Sequence, residues 1–227
     1  MSGEFSMQPF SESDRRGVFT GKAIPAVDLG RADVVQQVIK ASKEYSFFQV
    51  INHGINEATI LNMASVAKEF FDLPAEDKEY YNLWPSKPTK YREVVRTYSA
   101  EARKLGLKLL KLISEGLGVE SGYFDRELSQ GLGVESGYFD KELSQGLLMT
   151  INYYAPCLDP THTLGLPKHC DPNVLTLLFQ GDVSGLQVFK DGELIDVNPL
   201  PNVLVVNLGL MLEIVLFKAY RFLSYLF

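Results

Sequence analysis

From Leu147 onward the chain is written in short apolar or alternating runs: Leu147–Tyr154, Val174–Phe179, Gly185–Phe189, Leu194–Val197 and Val203–Leu208. Pro, Gly, Asp and Asn clusters separate them. This pattern constrains the fold more than any other feature. Successive side chains of a strand address opposite faces of a sheet, and several short strands at such spacing build a sandwich or jelly roll. The first half instead carries apolar residues at helical spacing. Helices first and a β core second define an α+β class.

In the first half, residues 1–23 read as a flexible tail and Ile24–Leu29 as a short strand. A helix is expected over 31–45, with Val34, Val35, Val38 and Ile39 as its apolar face. Phe47–Ile51 is β-rich and runs into the turn signal Asn52-His53-Gly54. Asn56 is suited to cap the next helix, whose expected face is Ile60, Met63, Ala64, Ala67 and Phe71. Pro74 should end it. These elements form an N-terminal region over 24–81. A second region, 82–146, holds a proline-punctuated connector and a long helix from Tyr91 to Glu115. Val94, Tyr98, Leu105, Leu109 and Leu112 lie on one face of that helix, and Gly116 is its expected stop. Two copies of a 15-residue unit follow, Gly116–Gln130 and Gly131–Gln145, differing only at Arg126 against Lys141. Solenoids need three or more repeats, so this reads as a tandem duplication without assigned function. The third region is 147–227.

Composition narrows the function classes. Hydrophobic residues are 46% and charged residues 22%, ordinary for a globular chain. A net charge of −6 argues against nucleic-acid binding. Two cysteines, Cys157 and Cys170, make no disulfide framework and fit a reducing, cytoplasmic compartment. The polar N-terminus lacks the apolar core of a signal peptide. The apolar stretch from Val203 to Phe227 is interrupted by Asn207, Glu213, Lys218 and Arg221, so buried strands are expected there and not a membrane span.

The chemistry-bearing motif is His169-Cys170-Asp171. In an extended segment, residues 169 and 171 share a face. An imidazole and a carboxylate on one face can hold one cation, and with a further histidine they make the facial triad of non-haem Fe(II). The other histidines are His53, in a turn and read as structural, and His162, read as a loop residue. A zinc site from Cys157, His162, His169 and Cys170 matches none of the usual paired spacings.

Five motifs occur in order: Phe48-Gln-Val-Ile-Asn-His-Gly54, Lys68-Glu-Phe-Phe-Asp-Leu-Pro74, Asn152-Tyr-Tyr154, His169-Cys-Asp171 and Val205-Val-Asn-Leu-Gly209. As an ordered set they resemble the plant 2-oxoglutarate- and Fe(II)-dependent dioxygenases, and the stretches Trp84–Val95 and Asn207–Leu210 most resemble the hyoscyamine 6-dioxygenase-like branch. The resemblance implies a helical N-terminal region followed by a double-stranded β-helix. It implies His169 and Asp171 as iron ligands and Asn152 and Tyr154 facing the co-substrate. The implied cofactor is Fe(II), with 2-oxoglutarate as co-substrate and oxygen as oxidant, so that 2-oxoglutarate is decarboxylated to succinate while a small metabolite is hydroxylated. Leu166, Phe179 and Tyr153 are expected to contribute to the substrate pocket.

The chain departs from that pattern in three places. A segment after Tyr81 is absent, the 15-residue unit is doubled, and the text after Val215 no longer follows the family. The family's distal iron histidine and its Arg-x-Ser pair are expected in that last stretch. The chain has no histidine after His169, and Arg221 and Ser224 are spaced Arg-x-x-Ser. The jelly roll is therefore expected to be incomplete. A catalytically inactive family member stands as the alternative to an active oxygenase.

Overall fold

The computed structural model describes residues 23–78, 85–119, 123, 147–158, 165–217 and 225–226. The expected N-terminal tail, His162 and nearly all of the duplicated unit lie outside them. β1 (Ala26–Asp28), α1 (Val34–Tyr45), β2 (Phe47–Ile51), α2 (Glu57–Asp72) and α3 (Tyr91–Gly116) make up the first half. β3 (Leu175–Leu178), β4 (Gln187–Lys190), β5 (Glu193–Asp196), β6 (Leu204–Leu208), α4 (Leu210–Phe217) and β7 (Tyr225–Leu226) follow.

The strands form two sheets, β1-β2-β6-β3 and β5-β4-β7. In the first sheet β1 runs parallel to β2, whereas β6 is antiparallel to both β2 and β3. β1 and β2 come from the N-terminal region and β6 and β3 from the C-terminal one, so the two regions share one sheet.

Alternation along the strands explains the layering. Phe48 and Val50 of β2 and Leu204, Val206 and Leu208 of β6 pack with α1, α2 and α3 in one core. Phe47 and Val205 point the other way, to Val188, Ile195 and Val197 of the second sheet and its flank. The first sheet is thus buried on both faces, which is why β2 and β6 read as nearly continuous apolar runs instead of alternating ones. The α+β expectation holds, with helices on one face of the first sheet and the second sheet on the other.

Asn56 caps α2 as expected, its side chain accepting the Ala58 N–H at 2.8 Å. The fully buried residues of α2 are Ile60, Met63, Val66 and Phe70, and the expected Ala67 and Phe71 pack partly buried against the same core. In α3 Val95 is buried and the expected Val94 packs partly buried against the same core. Gly116 is the last residue of α3 but not its left-handed stop; Gly118 takes that role at φ +67°. Gly116 is needed for another reason. A Cβ there would lie 2.0 Å from Cγ1 of Ile39 on α1.

Two strand expectations need correction. Leu147–Tyr154 forms no strand. Its alternation is used, because Met149 and Ile151 pack on the helical core, but the segment is part of neither sheet. The run after Val203 is a strand only to Leu208 and then turns into α4. An apolar run without punctuation fits either a buried strand or a buried helix, and periodicity alone does not separate them. No helix among the described residues is long and apolar enough to cross a membrane.

Candidate metal site

The site lies at the C-terminal end of β6, where two stretches of chain lock together. Gly209 N–H donates to the Val174 carbonyl at 2.9 Å, Leu210 N–H to that of Asp171 at 2.8 Å, and Met211 N–H to that of Asn173 at 3.2 Å. The first amides of α4, which no intrahelical carbonyl can satisfy, are thereby capped by the loop that carries Asp171. Gly209 permits the approach. A Cβ there would fall 2.0 Å from the Asn173 carbonyl oxygen.

Within this frame His169 and Asp171 come together, with Nε2 and Oδ1 3.5 Å apart. His169 Nδ1 is 2.9 Å from the Pro167 carbonyl oxygen, which can only accept, so Nδ1 carries a proton and donates. In the neutral ring Nε2 then presents a lone pair. Asp171 uses its other oxygen for the protein: Oδ2 accepts from Thr176 Oγ1 at 2.5 Å and from Asn207 Nδ2 at 2.9 Å. Two electron-rich atoms, Nε2 and Oδ1, are left facing each other. A positive charge relieves that facing, whether as a second proton on the imidazole or as a bound cation, and one divalent cation can bridge this span with bonds of about 2 Å. The chemistry of the pair and the backing of each ligand by a hydrogen bond fit a metal.

The set is a pair. Among the described residues no group of three or more His, Cys, Asp or Glu side chains could hold an ion. Cys157 is exposed and Cys170 half-buried, and neither forms a disulfide.

The other expected site residues sit apart from this pair in character. Asn152 and Tyr154 are exposed on the unpaired 147–154 segment, and the Tyr154 ring lies against Gly165. Tyr153 stacks on Phe71 with centroids 4.9 Å apart. Phe179 packs on the helical core, and Leu166 is exposed. His53 is buried in a structural clamp. Its Nδ1 accepts the Ile55 N–H at 3.1 Å, and its Nε2–H donates to the Asn202 carbonyl at 3.1 Å. Burial holds its pKa below the usual 6.5.

Thr176 and Asn207 were not singled out for this role by the sequence. The available signal was the amide itself: Asn207 interrupts Leu204-Val-Val-Asn-Leu208, and a buried amide must find partners.

Comparison with known proteins places the chain in a family. Residues 145–223 match the model of the 2OG-Fe(II) oxygenase superfamily, and residues 24–113 match that of the non-haem dioxygenase in morphine synthesis N-terminal region. Hyoscyamine 6-dioxygenase of Hyoscyamus niger is 37% identical over 93% of the chain and 73% of its own length. Flavanone 3-dioxygenase 2 of Oryza sativa subsp. japonica is 36% identical over 97% of the chain and 73% of its own length. The first of these alignments runs over 266 positions, more than the 227 residues present, so that relative carries segments this chain does not. Among solved structures, JOX2 in complex with 2OG, Fe and JA superposes with a TM-score of 0.70 at 26% identity, covering 99% of the chain and 75% of JOX2. The dioxygenase for auxin oxidation in rice, 18% identical with a TM-score of 0.63 over 89% of the chain and 77% of its own, shares the fold. The chain belongs to the 2OG-Fe(II) oxygenase superfamily.

Proposed function

We propose that this family member binds Fe(II) through His169 Nε2 and Asp171 Oδ1, takes 2-oxoglutarate as co-substrate, and hydroxylates a small secondary metabolite. The observation that carries this reading is the convergence of Nε2 and Oδ1 at 3.5 Å, each ligand's other polar atom being held by the protein. Fe(II), when bound, would couple dioxygen to 2-oxoglutarate: the keto acid would be oxidised to succinate and CO2 with one oxygen atom, and the other would go to the substrate as hydroxyl. The chain's own part is orientation. Pro167 fixes the imidazole tautomer, and Thr176 and Asn207 fix the carboxylate. Asn152 and Tyr154 are assigned to the co-substrate by their place in the Asn-Tyr-Tyr motif. An amide and a phenol both hydrogen-bond carboxylate or keto oxygens, and their exposure leaves them accessible. The relatives act on hyoscyamine and flavanone by name, which points to a small metabolite of that kind as substrate.

A second reading, a binding-competent but catalytically silent family member, is favoured by one observation. Among the described residues no third His, Cys, Asp or Glu side chain joins His169 and Asp171 in a group that could hold an ion. A cation held by two protein ligands is held less securely than one held by three.

Anaerobic titration of the purified chain with Fe(II) and 2-oxoglutarate tests both readings. A visible charge-transfer band that saturates, and is lost in His169→Ala, is the expected result for the metal site. Succinate formation dependent on 2-oxoglutarate then separates the active from the silent reading. A folded chain that gives no band, or a band indifferent to His169→Ala, would remove the metal assignment.

A further inference from the structure

We infer that Thr176 and Asn207 are positioning residues for Asp171, holding Oδ2 between them so that the carboxylate meets a cation through Oδ1 alone. This rests on the metal reading above and adds to it the device that sets how the ligand binds.

The two side chains reach Asp171 because of sheet register. Thr176 on β3 is the direct cross-strand partner of Asn207 on β6. Partners in an antiparallel pair project to the same face, so both side chains stand on the face away from the helices. Both donate to one oxygen, at 2.5 and 2.9 Å. The direction of the threonine proton is set by a third residue. Asn173 Nδ2 donates to Thr176 Oγ1 at 2.9 Å, leaving the hydroxyl's single proton for the carboxylate. The Asp171 main chain is fixed as well, through the bond from Leu210 N–H to its carbonyl.

A carboxylate on a free side chain can rotate, chelate a cation with both oxygens, or turn away. Here rotation breaks two hydrogen bonds at once, one of them to a buried amide. Such bonds to an ionised acceptor are among the stronger ones. A carboxylate bound through one oxygen occupies one coordination position where a chelating one occupies two, and the position saved is open to an exogenous ligand. Asn207 is therefore expected to matter for cation binding although it never touches the cation.

The test uses Co(II) as the probe, because its visible spectrum reports both affinity and coordination geometry. Wild type, Asn207→Ala, Thr176→Val and Thr176→Ser are titrated, with His169→Ala as control. Thr176→Val is nearly isosteric and on an edge strand, so it keeps the question answerable if Asn207→Ala does not fold. Loss of the positioning bonds is expected to weaken Co(II) about 10- to 100-fold and to alter its spectrum, with Thr176→Ser close to wild type. Thermal melts of the metal-free chain, in a cycle of Asn207→Ala with Asp171→Ala, are expected to give non-additive Tm shifts.

Unchanged Co(II) affinity and spectrum in Thr176→Val and Asn207→Ala, with non-additive melts, would show a structural contact only and overturn the inference while leaving the metal site standing. Wild-type Co(II) binding that His169→Ala does not affect would overturn the metal reading, and the inference with it.

Discussion

His53 and Asn202 are joined across 149 positions of sequence by a 3.1 Å hydrogen bond from the imidazole Nε2–H to the main-chain carbonyl. The same ring accepts the Ile55 N–H, so one neutral tautomer ties the turn after β2 to the turn before β6. Those strands are neighbours in the first sheet, and the clamp closes one end of their pairing.

The clamp makes stability depend on pH. Burial disfavours the imidazolium and lowers the folded-state pKa from 6.5. Between the folded and unfolded pKa values the unfolded chain binds more protons, so stability rises with pH through that window. The contribution is fully present above about 6.5 and is lost as pH falls below it toward the folded value. Tm measured from pH 8 to 5 is expected to fall through this interval, and His53→Gln should flatten that part of the profile. His53→Ala, which strands the buried Ile55 N–H, should cost about 1–3 kcal/mol at neutral pH. A wild-type profile identical to that of His53→Gln would refute the assignment.

Gly116 sets helix propensity against packing. Replacing a helical glycine by alanine ordinarily stabilises by about 1 kcal/mol. Here the new Cβ would lie 2.0 Å from Ile39 Cγ1 and 2.8 Å from Cδ1, inside any real contact distance. Overpacking of this kind costs about 1–3 kcal/mol, so the packing term wins. Gly116→Ala is expected to lower the urea midpoint. In an Ile39→Ala background the same change should lose most of its penalty, because the atoms it strikes are gone. Equal effects in both backgrounds would place the cause elsewhere.

What the sequence disclosed depended on the range of the interactions. β2 and α3 were readable because their periods are local, and His169 and Asp171 because they lie two residues apart. Asn56 was readable because capping is a contact within one turn. The partners of Asp171 were hidden because Thr176 and Asn207 meet it through cross-strand register, and register is settled by the whole sheet. The helix after β6 was hidden for a related reason. Its start depends on carbonyls supplied by residues 171–174, far back in the chain. The 147–154 segment has the alternation of a strand but pairs with neither sheet, and pairing is something no local pattern reports.

Asp171→Asn should separate folding from cation binding. The substituted amide can turn its oxygen to Thr176 and Asn207 and its NH2 toward the lone pair of His169 Nε2, 3.5 Å from the atom it replaces. It thereby relieves the facing of two electron-rich atoms. Metal-free stability is expected to stay within about 1 kcal/mol of wild type or to rise. Co(II) affinity should fall at least tenfold, because the anionic ligand is gone. A large loss of stability without metal would mean that the carboxylate's charge, and not its hydrogen-bond geometry, holds the loop.

Gly209→Ala tests whether the loop carrying Asp171 and the start of α4 form one unit. The added Cβ would meet the Asn173 carbonyl oxygen at 2.0 Å and its carbon at 2.5 Å. These are main-chain atoms, and no rotamer change can move them aside. Something larger must shift: either the 171–174 loop lifts away, or the end of β6 does. Both routes stretch the bonds from Gly209, Leu210 and Met211 N–H to the loop carbonyls. Asp171 moves with its own main chain in the first case. In the second, Asn207, two residues before the substitution, is carried off Oδ2. Stability should therefore drop by roughly 2 kcal/mol or more, the scale of strained packing with loss of a buried hydrogen bond. Co(II) affinity should drop in the same variant when both are measured below its melting temperature. Loss of stability with unchanged Co(II) affinity would show that the helix start and the ligand loop are mechanically independent.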